Sequence, residues 1–305
     1  MKNLLTMLIY FIFLAGSGSI SAIHLASKPD SKLADYLASK PEYQTTKAAM
    51  IRFRTTKSPI VGIAVHRAAN EFAPENTLSA MQIALDLEVD YIEMDVRQTL
   101  DGQSILLHDG NLDRTTNGKG PVNKINFKDL RELSAGSWFD PFFVSEKVPT
   151  LEEACSLLAD HNKKNRHKTY FYVDCKEFSA KVLIDNLNKY NLLNGSVFYV
   201  NSTEQIGQIR ALAPQAKMMP GLGNAKDLDR MVDMYHPYAL DVNWDELSKE
   251  LIEKAHAKGV RIFSDGFGNN MNADSYIKAI HAGIDVISTN KISVICEAAA
   301  KCNKP

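Results

Sequence analysis

The chain reads as an α/β protein of the TIM (β/α)8 barrel class. Three observations predict this. Short apolar runs alternate with helix-periodic stretches, which implies a parallel sheet. Eight such units fit into roughly 250 residues, the usual size of this barrel. Charged residues gather where the apolar runs end, which is where barrels of this class carry their chemistry. An open, doubly wound sheet is the rival arrangement. No G-x-G-x-x-G follows the first strand, which weakens its dinucleotide-binding version.

The elements follow in order. Lys2, the apolar run 4–14 and the small residues 16–22 have the form of a cleaved secretory signal. The apolar run is short for a membrane span. Cleavage is expected after Ala22, with Ser19 as the rival site, and the mature protein is expected to be periplasmic or secreted. Residues 23–58 form a polar lead-in, loosely helical from residue 27. The barrel is expected over 59–302. Strands are expected at 61–65, 91–97 with a hairpin return at 104–108, 169–174, 197–200, 217–219, 239–242, 260–264 and 285–288. Helices are expected at 76–87, 180–190, 204–212, 226–234, 246–258, 273–282 and 291–301. Residues 110–149, rich in Gly, Asn, Asp and Pro, interrupt the repeat as an insertion or lid after the second strand. They carry the aromatics Trp138, Phe139, Phe142 and Phe143, which would form an apolar rim if the substrate were a membrane lipid.

Composition narrows the partners. The 305 residues are 45% hydrophobic and carry a formal net charge of -1, an ordinary globular balance without the basic footprint of a nucleic-acid binder. The basic stretch 163–168 reads as a solvated loop. The sequence therefore calls for a small-molecule partner and no nucleic acid. It leaves membrane contact open without indicating it, and the oligomeric state open. Cys155, Cys175, Cys296 and Cys302 lack metal-ligand spacing. Cys175 reads as a buried filler. Cys296 and Cys302 can pair if the last helix ends between them.

The chemistry concentrates in one stretch: His66-Arg67, then Pro74-Glu75-Asn76-Thr77, then Glu93 and Asp95, then His108-Asp109. Two imidazoles can serve as acid and base. Carboxylates two apart on a strand share a face and can share a hard cation. An arginine fork suits a phosphate. Asp174 and Lys176 end the third strand, again two apart. Ser264-Asp265 and Thr289-Asn290 end the seventh and eighth. Charges at the ends of apolar strands cost stability unless paired or metal-bound. Together these features point to an enzyme acting on a phosphate ester. Glu75 and Asn76 can cap the first helix with Thr77 or brace the metal ligands from behind.

These residues also carry a family resemblance. H-R-x-A at His66, P-E-N-T at Pro74, E-x-D at Glu93, T-x-D-G at Thr99 and H-D-x-x-L-x-R-T-T-x-G-x-G at His108 resemble the glycerophosphodiester phosphodiesterase family. Pro149-Thr150-Leu151-Glu152-Glu153 resembles its P-T-L-E-E segment. The resemblance implies a TIM barrel and metal-dependent hydrolysis of a glycerophosphodiester to glycerol 3-phosphate and an alcohol. It implies His66 and His108 as the acid–base pair, with Arg67 and Lys176 on the phosphate. Glu93, Asp95 and Asp174 would hold one divalent cation, Ca2+ or Mg2+, and Arg114, Thr115 and Thr116 would fix a loop. The chain departs from the family pattern at four places. Ala68 replaces a glycine, Asp174 a glutamate and Asn290 an aspartate, and Phe263-Ser264-Asp265-Gly266-Phe267 lacks the usual tryptophan. The last two lie in the half of the mouth that meets the alcohol. The alternatives are the same site acting on another exported diester, a lysophospholipid or a sugar phosphate, with a cyclic phosphate as one outcome, or a non-catalytic binding protein on this fold.

Overall fold

The computed structural model describes residues 31–55, 61–200, 202–268 and 271–302; the expected export signal lies outside them. Nine strands are described: β1 (Gly62–Val65), β2 (Tyr91–Gln98), β3 (Ser104–Leu106), β4 (Tyr170–Cys175), β5 (Val197–Val200), β6 (Lys217–Leu222), β7 (Ala239–Val242), β8 (Arg261–Gly266) and β9 (Val286–Thr289). All except β3 run parallel, and β1 pairs with both β2 and β9, which closes the barrel. Strand β3 returns antiparallel along the end of β2.

The helices are α1 (Ser31–Ala38), α2 (Pro41–Arg54), α3 (Leu78–Asp86), α4 (Phe127–Leu130), α5 (Leu151–Lys164), α6 (Ala180–Lys189), α7 (Thr203–Leu212), α8 (Leu228–Tyr235), α9 (Lys249–Ala257), α10 (Ala273–Ala282) and α11 (Ile292–Cys302). Their starts are set by short polar caps. Thr77, Ser179, Ser202, Ser248 and Asn272 each accept a bond from the backbone N–H three residues on. Thr150 and Glu153 make a reciprocal capping box that starts α5.

Helix α5 has no counterpart in the sequence reading, although its capping box is visible there. Within the lead-in, residues 31–54 form two defined helices, where the sequence suggested only loose helix. Helix α2 buries Tyr43, Thr46, Ala49, Met50 and Phe53 and packs on α11. Pro220-Gly221, a turn signal in sequence, stays extended inside β6. The four cysteines are free. Helix α11 runs through Cys302, so Cys296 and Cys302 sit on one continuous helix, and Cys296 faces Met50 instead. The insertion packs Leu112, Val122, Leu130, Ala135 and Val148 against Ile105 of β3 and Leu107 in a small separate core. Its aromatics form one cluster by edge-to-face contacts, Trp138 on Phe139 and both Phe139 and Phe142 on Phe143, with Trp138 and Phe142 exposed. Phe143 is buried, and Phe142 stacks on Tyr36 of α1 at 4.2 Å.

The barrel interior is layered. Ala64, Tyr172, Val197, Met219, Ala239, Phe263 and Val286 pack together inside it, joined by Tyr91. That is one residue from each of the eight parallel strands. Strand side chains alternate faces with a period of two. Two residues further along, on the same inner face, stand His66, Glu93, Asp174, Tyr199, Gly221, Asp241, Asp265 and Ser288. An apolar floor thus supports a polar ring at the carboxyl-terminal mouth.

Candidate active site

The loop after β1 is wound tightly around β2. Arg67, Ala68 and Asn76 adopt left-handed φ values of 54°, 64° and 56°. The family glycine replaced by Ala68 is therefore missed in conformation, at about 1 kcal/mol of strain. The turn is held by β2: Arg67 N–H donates to Glu93 Oε2 at 2.5 Å and Ala68 N–H to Glu93 O at 3.1 Å. Asn76 donates from Nδ2 to Asp95 Oδ2 at 2.7 Å and accepts from Asp95 N–H at 3.2 Å. Asn76 braces a carboxylate, while Thr77 supplies the cap.

Glu93, Asp95 and Asp174 converge, with one oxygen of each lying within 4.8 Å of the others. The shorter side chain of Asp174 still reaches the cluster. Burial, then the charges of Asp95 and Asp174, push Glu93 well above the usual carboxylate range. Burial also raises Asp174, against the pull of Lys176. Asp95 Oδ1 and Asp174 Oδ1 are buried and accept no hydrogen bond. Lys176 lies 2.5 Å from Asp174 Oδ2 and 3.5 Å from Asp95 Oδ1.

The two histidines have different settings. His66 stacks on Phe267 at 4.0 Å. Its Nδ1 lies 2.8 Å from Asn290 Oδ1, which also accepts from Asn70 Nδ2 at 2.7 Å. The Asn70 bond points the Asn290 oxygen, not its amide nitrogen, at the ring, so His66 carries its proton on Nδ1. Nε2 is left with a lone pair, which accepts from Arg67 Nε at 3.2 Å. Burial, then the Arg67 charge, lower the His66 pKa to about 4. His108 instead donates from Nδ1 to Asp109 Oδ1 at 2.7 Å.

Asp109 and Glu75 were not read as a pair in the sequence, yet Arg114 joins them. It donates to Asp109 at 2.8 and 2.9 Å and to both oxygens of Glu75 at 2.8 Å. Glu75 in turn holds Arg67 at 2.9 Å. The Arg114 guanidinium holds Asp109 well below the usual carboxylate range. Glu75 therefore braces Arg67 and Arg114 rather than the carboxylate cluster. Asp241 was missed altogether. Its signal was a charge inside the four-residue apolar strand β7, on the inner face by alternation.

The sequence pattern of the glycerophosphoryl diester phosphodiesterase family matches residues 66–294. The chain belongs to that family. Members of this glycerophosphoryl diester phosphodiesterase family are phosphoric diester hydrolases, and so is this protein. The glycerophosphodiester phosphodiesterase of Caldanaerobacter subterraneus subsp. tengcongensis is 28% identical over 238 residues, covering 75% of this chain and 93% of that one. YhdW of Bacillus subtilis is 30% identical over 238 residues, with the same coverage of 75% and 93%. The crystal structure of glycerophosphodiester phosphodiesterase from Agrobacterium tumefaciens superposes with a TM-score of 0.70 at 27% identity, covering 77% of this chain and 99% of that one. An Oleispira antarctica phosphodiesterase, solved with its product sn-glycerol-3-phosphate, shares the fold with a TM-score of 0.69 at 20% identity, covering 78% of this chain and 96% of that one.

Proposed function

We propose that the protein hydrolyses glycerophosphodiesters in a divalent-cation-dependent reaction, with Glu93, Asp95 and Asp174 holding one ion and His66 and His108 moving protons. The observation that carries this reading is the buried carboxylate triad, whose oxygens gather within 4.8 Å and include two that accept no hydrogen bond. An all-carboxylate donor set fits a hard cation such as Ca2+ or Mg2+. When bound, such an ion neutralises charge on the nonbridging phosphate oxygens.

The chain's own residues supply the rest. Arg67 stands between the triad and His66, ready to turn its fork onto a phosphate. That movement frees the lone pair on His66 Nε2, which takes the proton of the attacking oxygen. Asp109 holds Nδ1–H of His108, and in the imidazolium form the ring's second proton, on Nε2, passes to the departing alkoxide and leaves the ring neutral. Lys176 is held on Asp95 and Asp174 and adds positive charge beside the phosphate position. The amino-terminal sequence supports a periplasmic or secreted setting for this reaction.

The test is alcohol release from a panel of glycerophosphodiesters with calcium, with magnesium and with a chelator. Release that needs the metal, and that falls at least 100-fold in His66→Ala and His108→Ala while the circular dichroism spectrum is kept, is expected. Undiminished turnover in either variant sinks the acid–base pair, and no release from any diester favours a binding protein. Phosphorus NMR separates attack by water from attack by a neighbouring hydroxyl, which leaves a cyclic phosphate.

A further inference from the structure

Large apolar side chains are exposed singly over most of the described surface, as at Ile51, Leu100, Leu212 and Met234. Such scatter is ordinary. The insertion is different. Trp138, Phe142 and Val144 are 41%, 38% and 58% exposed within seven residues. Their rings are braced from behind. Trp138 meets Phe139 at 5.6 Å, and Phe139 and Phe142 meet the buried Phe143 at 5.7 and 4.9 Å. Tyr36 of α1 stacks on Phe142 from the other side at 4.2 Å.

The polar groups of this loop are used up within it. Asp140 is the only charged residue between positions 134 and 145. Its Oδ1 accepts from Phe142 N–H at 2.8 Å and its Oδ2 from Tyr36 Oη at 3.4 Å. Trp138 Nε1 donates to Ala135 O at 3.0 Å, so the indole has no donor left to offer. Gly136 and Ser137 N–H donate to Ser134 Oγ. The N–H groups of Phe139, Asp140, Phe143, Val144 and Glu146 all find carbonyls inside the loop. A loop facing water does not need such self-sufficiency. A loop entering lipid does, because hydrocarbon supplies no partners. A protein partner would more usually be met by a rim of free polar groups.

The patch lies at the mouth end of the barrel. Glu146 accepts from Ser79 Oγ in the first turn of α3, beside the loop that carries Arg67. Tyr43, early in α2, packs on Phe72 of that same loop at 5.4 Å, while Arg54 at the far end of α2 pairs with Asp90 below β2. The chain also enters the fold here. Helix α1 begins at Ser31, five residues before Tyr36, which is about 7.5 Å along a helix. The apolar run 4–14 is separated from α1 by the sixteen residues 15–30, at most about 55 Å of extended chain. A membrane that receives this run during export is therefore within reach of the patch.

We propose that Trp138, Phe142 and Val144 dock the mouth end of the barrel on a phospholipid surface, entering the boundary between headgroups and acyl chains. The attachment is apolar rather than electrostatic, because the loop offers no free charge. It does not depend on which diester is cleaved.

The test uses the chain from residue 23 onward, so that the apolar run cannot itself bind lipid. It is sedimented with vesicles of phosphatidylethanolamine and phosphatidylglycerol at a 3:1 ratio. The wild type is expected to bind, and to stay bound in 0.5 M NaCl. Val144→Glu and Trp138→Ser, each checked for an unchanged circular dichroism spectrum, are expected to lower the partition coefficient tenfold or more. Trp244→Phe leaves Trp138 as the single tryptophan of a chain that has two. Its emission is expected to shift to the blue on adding vesicles and to be quenched by brominated acyl chains. Hydrolysis of a soluble diester is expected to be equal in Val144→Glu and wild type, so docking and catalysis are read separately. Absence of vesicle binding, or of any change in Trp138 emission, overturns the proposal. Binding abolished by 0.5 M NaCl overturns it in favour of electrostatic attachment elsewhere. A dimer in solution that Val144→Glu dissociates, with no binding to vesicles, assigns the patch to a second copy of the chain and overturns it as well.

Discussion

Asn290 decides which nitrogen of His66 holds the proton. Its oxygen is pinned towards the ring by Asn70, and a neutral amide oxygen does little to stabilise an imidazolium. Burial and Arg67 then keep His66 neutral down to about pH 4. A base must be unprotonated, so activity that depends on His66 is expected to be lost as pH falls through about 4. Asn290→Asp would set a carboxylate 2.8 Å from Nδ1 and favour the charged ring. The acid limb of kcat/KM should then move upward by a unit or more; superimposable pH profiles would remove the role given to Asn290. Sequence alone marked Asn290 as a polar residue ending the eighth strand and a departure from a family aspartate, but not as a partner of His66, because its partners lie over 200 residues away in the chain. The residues that were legible, His66, Glu93, Asp95 and His108, are those whose spacing within a short stretch carries the chemistry. Asp109 and Arg114 act through contacts that spacing does not reveal.

At the level of elements, the insertion contributes to the site through a single exposed arginine. The Arg114 side chain is 43% exposed, yet it ties Asp109 and Glu75 together. Arg114→Ala is expected to lower kcat about tenfold or more by loosening His108, with little change in melting temperature. An equal loss of stability and activity would instead make it a structural residue. The lead-in helix α2 is the converse case, distant from the chemistry and needed by the fold. Phe53 is fully buried there, and Phe53→Ala is expected to cost about 3–5 kcal/mol in urea unfolding. A cost under 1 kcal/mol would mean α2 is only loosely attached. Strands were legible because short apolar runs bounded by turn residues are distinctive. Helix α5 was not, because it follows directly on an irregular insertion. Helix α2 was under-read because its buried face includes Thr46 and Ala49, which carry little hydrophobic signal.

For the whole molecule, closure of the barrel brings the four carboxylates of the polar ring, Glu93, Asp174, Asp241 and Asp265, together with Asp95 two residues beyond Glu93, and with Lys176 and Arg67 as nearby cations. Burial, helped by the charge of Asp174, pushes Asp265 up to about 7. A ligand that binds only the folded state raises stability, by about 2.7 kcal/mol at a hundredfold excess over Kd. Calcium or magnesium is therefore expected to raise the melting temperature of the wild type. Glu93→Gln and Asp95→Asn should erase that response, and a metal response that survives both would place the ion elsewhere. The eight-fold alternation was legible as a barrel. The ring was not fully legible, because it appears only when the inner face of every strand is counted from the same floor.

That floor has a consequence for traffic. Tyr172, Phe263, Met219 and their neighbours plug the barrel below the ring, so the site is a cul-de-sac. Substrate and both products must use the same doorway. The alcohol and the phosphorylated glycerol leave in turn, and whichever fragment lingers blocks the next arrival. Turnover under accumulating product is then governed by queueing at one entrance.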